Sequence, residues 1–279
     1  MNHPALPHFS LAGWPRRSFL QLGGLALSGS TLALTSSPDY PAAAASDKPA
    51  INDGFPTQSP GLAREIVKVS HFDLSRVKEL VEAQPSLARA SWDWGFGDWE
   101  TALGAASHMG NRPIADYLIA KGARPSLFSA TMLGHIEVVK AFVAAQPGVQ
   151  RIRGPHGISL LAHAKAGGEA SHAVFAFLES LGDAGADAPA PLAQSDMDAI
   201  LGVYVFGSAE PDHIDVTADK GNVTWTRRGS TGRPLFHLGE RVFYPAGAPA
   251  VRIRFSSADA GMLMTIHDPA LVLTAHRQR

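Results

Sequence analysis

The stretch WDWGFGDWE, residues 92–100, holds the densest set of chemically capable side chains in the sequence. Trp92, Trp94, Phe96 and Trp99 interleave there with Asp93, Asp98 and Glu100, and three of the chain's five tryptophans fall in this one segment. Aromatic rings beside carboxylates suit recognition more than bond-making, because tryptophan is the residue most enriched at binding hot spots. These seven residues are therefore expected to form a partner-binding surface, the competing expectation being that the rings fold back as a cap on neighbouring helices. The twelve histidines are scattered along the chain. His156 and His163 stand seven apart, no His-Glu-x-x-His occurs, and no histidine pair has a carboxylate at ligand spacing. His108 and His135 fall at equivalent places in two similar segments, where capping of turns is the expected role.

Nucleophilic chemistry finds no support. RGSTG (228–232) lacks the Gly-x-Ser-x-Gly spacing and lies between strand-like segments. No glycine-rich phosphate loop is present, and Asp215 and Asp219 read as solvated surface carboxylates. The absence of cysteine excludes disulfides, thiol catalysis and cysteine metal sites. A net charge of −1 gives no reason to expect nucleic acid as a partner. The sequence thus assigns no catalytic residue, no metal and no cofactor, and the expectation is a non-enzymatic protein.

These residues must be positioned by the elements around them. The chain opens with PRRSFLQLGGLALSGSTLALT, followed by small residues with Ala43 and Ala45 at an A-x-A spacing. Positive, weakly apolar and small segments in that order read as an export signal over 1–45. Arg16 and Arg17 followed by Phe19 and Leu20 resemble the twin-arginine signal, which implies export of a folded chain to the periplasm with no membrane anchor after cleavage. Residues 46–59 read as a linker, 60–184 as helical, 185–195 as a second linker and 196–279 as strands.

Within 60–184 a unit recurs. GNRPIADYLIAKGA (110–123) and GHIEVVKAFVAAQP (134–147) both run from a glycine into apolar pairs four apart. FDLSRVKELVEAQP (72–85) and SHAVFAFLESLGDA (171–184) repeat the pattern, each behind a shorter helix rich in small residues. ETALGAASHMGNRPIADYLIAKGARP resembles an ankyrin repeat: Thr101, Leu103, Ala105, Ala106, Gly110, Gly122 and Ala123 match that family's motif, while Ala102 and Gly104 depart from it. TMLGHIEVVKAFV matches the family's second-helix core. Gly110 to Gly134 spans 24 residues, short of the family period of about 33. The resemblance implies four stacked helix pairs and a concave face that binds protein.

The tail alternates with period two, as in HIDVTADKGNVTWTR and VRIRF, which predicts a small antiparallel sheet or partial barrel. It loosely resembles the β domain appended to some bacterial serine hydrolases. The expected fold class is thus α+β multidomain, an ankyrin-like helical repeat array followed by a small antiparallel β domain. The expected function is periplasmic protein binding through the concave face and the Trp-rich finger, with an unidentified protein as partner. The alternative is a small-ligand-binding or hydrolase-accessory role carried by the β domain.

Overall fold

A computed structural model describes residues 54–185, 189–219, 221–259, 261–269 and 271–278. The twin-arginine residues Arg16, Arg17, Phe19 and Leu20 lie outside the described residues, as does most of the first expected linker. The described residues belong to one compact unit. No helix among the described residues is long and apolar enough to cross a membrane.

The helical part begins with α1 (Pro60–Val69) and α2 (Leu74–Ala83), which bury Ile66, Val67, Val77, Leu80 and Val81. A short hairpin of β1 (Ser91–Asp93) and β2 (Trp99–Thr101) follows, pairing Trp92 with Glu100 and Asp93 with Trp99. Then come α3 (Ala102–His108), α4 (Arg112–Ala120), α5 (Leu127–Met132), α6 (Ile136–Ala145), α7 (Leu160–Ala166) and α8 (His172–Ser180). The short helices α3, α5 and α7 start where a hydroxyl accepts an orphan backbone N–H: Thr101 from Gly104, Ser126 from Ser129, Ser159 from Ala162. Six of the seven residues of α3 are buried, all of them small except Leu103. Small side chains let α3 pack closely against α1, α5 and α7.

That last contact corrects the expected fold class. In a linear repeat array each unit touches only its neighbours. Here α3 also meets α7, two units on, and the turn glycine Gly110 sits against the backbone of Ala166 at the end of α7. The inner helices converge instead of forming an open trough, so an ankyrin array is not what the structure shows.

The β part is also corrected. After α9 (Gln194–Ile200) come eight strands: β3 (Gly202–Val205), β4 (His213–Asp219), β5 (Asn222–Arg227), β6 (Arg233–Gly239), β7 (Val242–Pro245), β8 (Arg252–Ala258), β9 (Gly261–Asp268) and β10 (Leu271–Arg277). All neighbours are antiparallel, and β10 pairs with β3 through His276–Val205 and Arg277–Tyr204. The sheet is therefore a closed eight-stranded barrel, with no edge left to solvent. Eight strands leave an interior that side chains can fill. Tyr204, Ile214, Phe243, Ile253 and Met264 fill it and are fully buried. Arg252 and Arg254 are exposed and alternate with the buried Ile253 and Phe255. Helix α9 contributes Met197 and Ile200 to the same core, and the Tyr204 hydroxyl donates to the Ile200 carbonyl at 2.8 Å.

The helical part and the barrel meet at the β1–β2 hairpin. Gly95, Phe96 and Gly97 all adopt positive φ, at 112°, 56° and 76°. This left-handed tip turns the Phe96 ring onto the barrel, where it packs 5.6 Å from Trp225.

Candidate metal centre

In the hairpin, alternate residues share a face. Asp98 and Glu100 share the inward one and are both buried, at 2% and 0% exposure. Three histidines reach Glu100 from three other elements. His71 follows α1 and places its Nε2 3.5 Å from Glu100 Oε2. His108 ends α3 and places its Nε2 2.9 Å from Glu100 Oε1. His156, in the tight turn Pro155–Gly157, places its Nε2 3.4 Å from Glu100 Oε2. One ligand atom from each of the four residues can be chosen so that all lie within 4.8 Å of one another.

The outer partners orient these ligands. His71 Nδ1 lies 3.1 Å from the Val67 carbonyl and 3.0 Å from that of Lys68. The donor at Nδ1 therefore faces backbone, and the Nε2 lone pair faces the cluster. His156 Nδ1 lies 2.9 Å from Asp98 Oδ2, and the His156 backbone N–H donates to Asp98 Oδ1 at 2.9 Å. Those two bonds hold His156 in its left-handed conformation (φ 59°, ψ 16°), which is uncommon for a residue with a side chain. The Trp94 indole N–H donates to Glu100 Oε2 at 2.8 Å.

The arrangement fits a metal ion on two counts. Donors about 2.0–2.2 Å from a tetrahedral zinc stand about 3.3–3.5 Å from each other. The contacts of 3.5 and 3.4 Å lie in that range, and the 2.9 Å contact lies below it. Secondly, Glu100 Oε1 and His108 Nε2 are close enough for a hydrogen bond but are not aligned for one, so both are buried without a hydrogen-bond partner. Buried polar atoms are seldom left so, and a cation between the lone pairs would satisfy both. Three imidazoles and one carboxylate make a donor set for a transition metal of the zinc class and a poor one for calcium or magnesium, which prefer oxygen.

No family model, no curated protein and no solved structure matches this chain. The centre is therefore read from its own geometry.

The electrostatics agree with that geometry. Burial pushes the Glu100 carboxyl up, but the contacts from His108 and His156 and the charge on His156 and His71 outweigh it and hold the group at about 2. Burial pushes His156 down, and its bonds to Asp98 and Glu100 prevail and raise it to about 9. His163, behind His108, is lowered by burial to about 4, and burial also lowers His71 against the pull of Glu100.

A pH dependence of the metal-free protein follows. The folded-state value of His156 lies above its unfolded value of about 6.5. Its contribution is present below pH 6.5 and lost as pH rises through 9. His163 is depressed, so stability is lost as pH falls from about 6.5 towards 4. The Glu100 contribution is present above about pH 4.5 and is lost as pH falls from there through about 2. Urea midpoints measured in chelator should peak near pH 6.5 and decline to either side; a midpoint flat from pH 6 to 9 would contradict the His156 assignment.

The structure places the seven expected partner-binding residues variously. Trp92 and Trp94 are half-buried against the helical core and Phe96 against the barrel core. Asp93 accepts the Gly95 N–H at 2.8 Å. Asp98 and Glu100 are interior. Only Trp99 is exposed, at 63%. His71, His108 and His156 were missed as a set: their spacings of 29 to Glu100, then 8 and 48 onward, match no motif. The one available signal was the period-two placement of Asp98 and Glu100. His135 precedes α6 and makes no side-chain cap.

Proposed function

We propose that this protein binds one transition-metal ion through His71, Glu100, His108 and His156. The observation that carries the reading is the buried Glu100 carboxylate, faced by three imidazole Nε2 atoms, each from a different element. Four protein donors lie within 4.8 Å of one another and are enough to fill a four-coordinate shell, which is the pattern of a metal-holding centre; catalytic zinc keeps one position for water. A cavity of about 460 Å³ lies nearby between the 152–157 turn and the barrel, and its lining includes none of the four donors. This supports binding over catalysis.

Zinc titrated into metal-free protein against a chromogenic chelator should show one site per chain that survives excess magnesium. His108→Ala should abolish it. Equal binding by both forms would remove the site from consideration.

Export by the twin-arginine route is part of the same proposal. Affinity alone selects metals poorly, so the compartment in which a protein folds helps decide which ion it holds. A chain exported folded would carry the metal of the cytosol. Replacing Arg16 and Arg17 by Lys should strand folded, metal-loaded protein inside the cell; undiminished export in a fractionation experiment would overturn this part. A protein partner is supported by Trp99 alone, exposed beside the buried Asp98.

A further inference from the structure

All four proposed donors come from the helical part, yet the buried carboxylate that holds His156 is itself held by the barrel. Arg233, the first residue of β6, is only 6% exposed. Its Nη1 donates to the Ala246 carbonyl at 2.8 Å, and its Nη2 lies 3.2 Å from Asp98 Oδ2, the oxygen that faces His156 Nδ1. Gly247, just past β7, closes on the same group. It has φ of 80°, and a side chain there would fall on the Asp98 carboxylate. Gly157, next to His156, lies against Gly247 closely enough that an added Cβ would meet its backbone nitrogen at 3.3 Å.

We infer that Arg233 is a positioning residue for the metal centre, so that the barrel sets the geometry of a site to which it gives no ligand. This rests on the metal-binding reading above. The two bonds from His156 satisfy the Asp98 oxygens but do not balance a buried charge, and the Arg233 guanidinium supplies that balance from the barrel side. With Asp98 fixed from the barrel side, the imidazole of His156 is fixed in turn, with Nε2 toward Glu100. Without Arg233 the carboxylate can rotate and His156 loses its lock. Outer partners of this kind change metal affinity by about 10- to 100-fold. The coupling is reciprocal, so an ion at the centre must also tighten the barrel's hold on Asp98.

The test uses the full chain loaded with cobalt(II), whose visible spectrum reports coordination geometry. Arg233→Gln should weaken cobalt binding by about 10- to 100-fold and shift the bands, and Arg233→Lys should restore most of both. If Arg233→Gln lowers the melting temperature of the metal-free protein but leaves affinity and spectrum unchanged, the role is structural only and the inference falls. Should that variant fail to fold, hydrogen exchange on the wild type decides: zinc should slow amide exchange in residues 233–247, and unchanged exchange overturns the coupling. A wild type that takes up no cobalt would instead overturn the metal-binding reading itself.

Discussion

Glu100→Gln is expected to weaken zinc binding by more than about 100-fold, beyond the 10- to 100-fold typical of outer-shell partners. The substitution keeps the length and shape of the side chain and removes the one negative charge among the four donors. Glu100 is fully buried, and among the described residues it is the one carboxylate whose oxygens face all three imidazoles. Without it a divalent ion would sit in a buried site among neutral imidazoles, with only Asp98 as a nearby anion, and Asp98 is already shared by His156 and Arg233. The amide also brings an N–H₂ group that must point either at the ion or at an imidazole lone pair. Competition titration reads the effect, and a loss of less than threefold would show that Glu100 is not a ligand.

Gly134→Ala is expected to destabilise the fold by about 2–5 kcal/mol, by two causes that add. Gly134 has φ of 79°, and a residue with a Cβ in that region costs about 1–2 kcal/mol. Its Cβ would also fall on the Ala170 carbonyl oxygen, where the turn after α5 meets the segment leading into α8. Overpacking of that kind costs about 1–3 kcal/mol. Gly122→Ala is the control, since Gly122 has φ of 90° but nothing within 4 Å of the added Cβ. It should show the backbone cost alone. Urea denaturation of both variants separates the causes, and equal losses would mean that the close approach at Gly134 contributes nothing.

Part of this architecture was legible in the sequence. The apolar spacing in 72–85 marks Val77, Leu80 and Val81, and all three are buried. Turn glycines at 110, 122 and 134 have the positive φ that their places after short helical segments suggest. The period fails in α6, where Val138 and Phe142 are 43% and 44% exposed although they continue the apolar stripe. Helical period gives the angle between side chains but not how much of the stripe a neighbour covers. Closure of the barrel was not legible either, because strand alternation is the same in an open sheet, and the β10–β3 pairing joins residues more than 70 apart.

The site was hidden for a related reason. A metal motif is visible when one helix or loop supplies several ligands. Here the turn after α1, β2, α3 and the 155–157 turn supply one each, and the convergence of α3 on α7 helps bring the last of them close. The aromatic cluster drew attention to the right segment with the wrong role. Trp94 and Trp99 are alike in sequence, but the hairpin turns the Trp94 indole N–H onto Glu100 and leaves Trp99 in solvent.

The most direct measurement is X-ray diffraction from zinc-loaded crystals, with data collected on both sides of the zinc absorption edge. One anomalous peak should appear between the four side chains, about 2.0–2.2 Å from Nε2 of His71, His108 and His156 and from a Glu100 oxygen. No peak there after loading at stoichiometric zinc, with Glu100 still in contact with the imidazoles, would contradict the account.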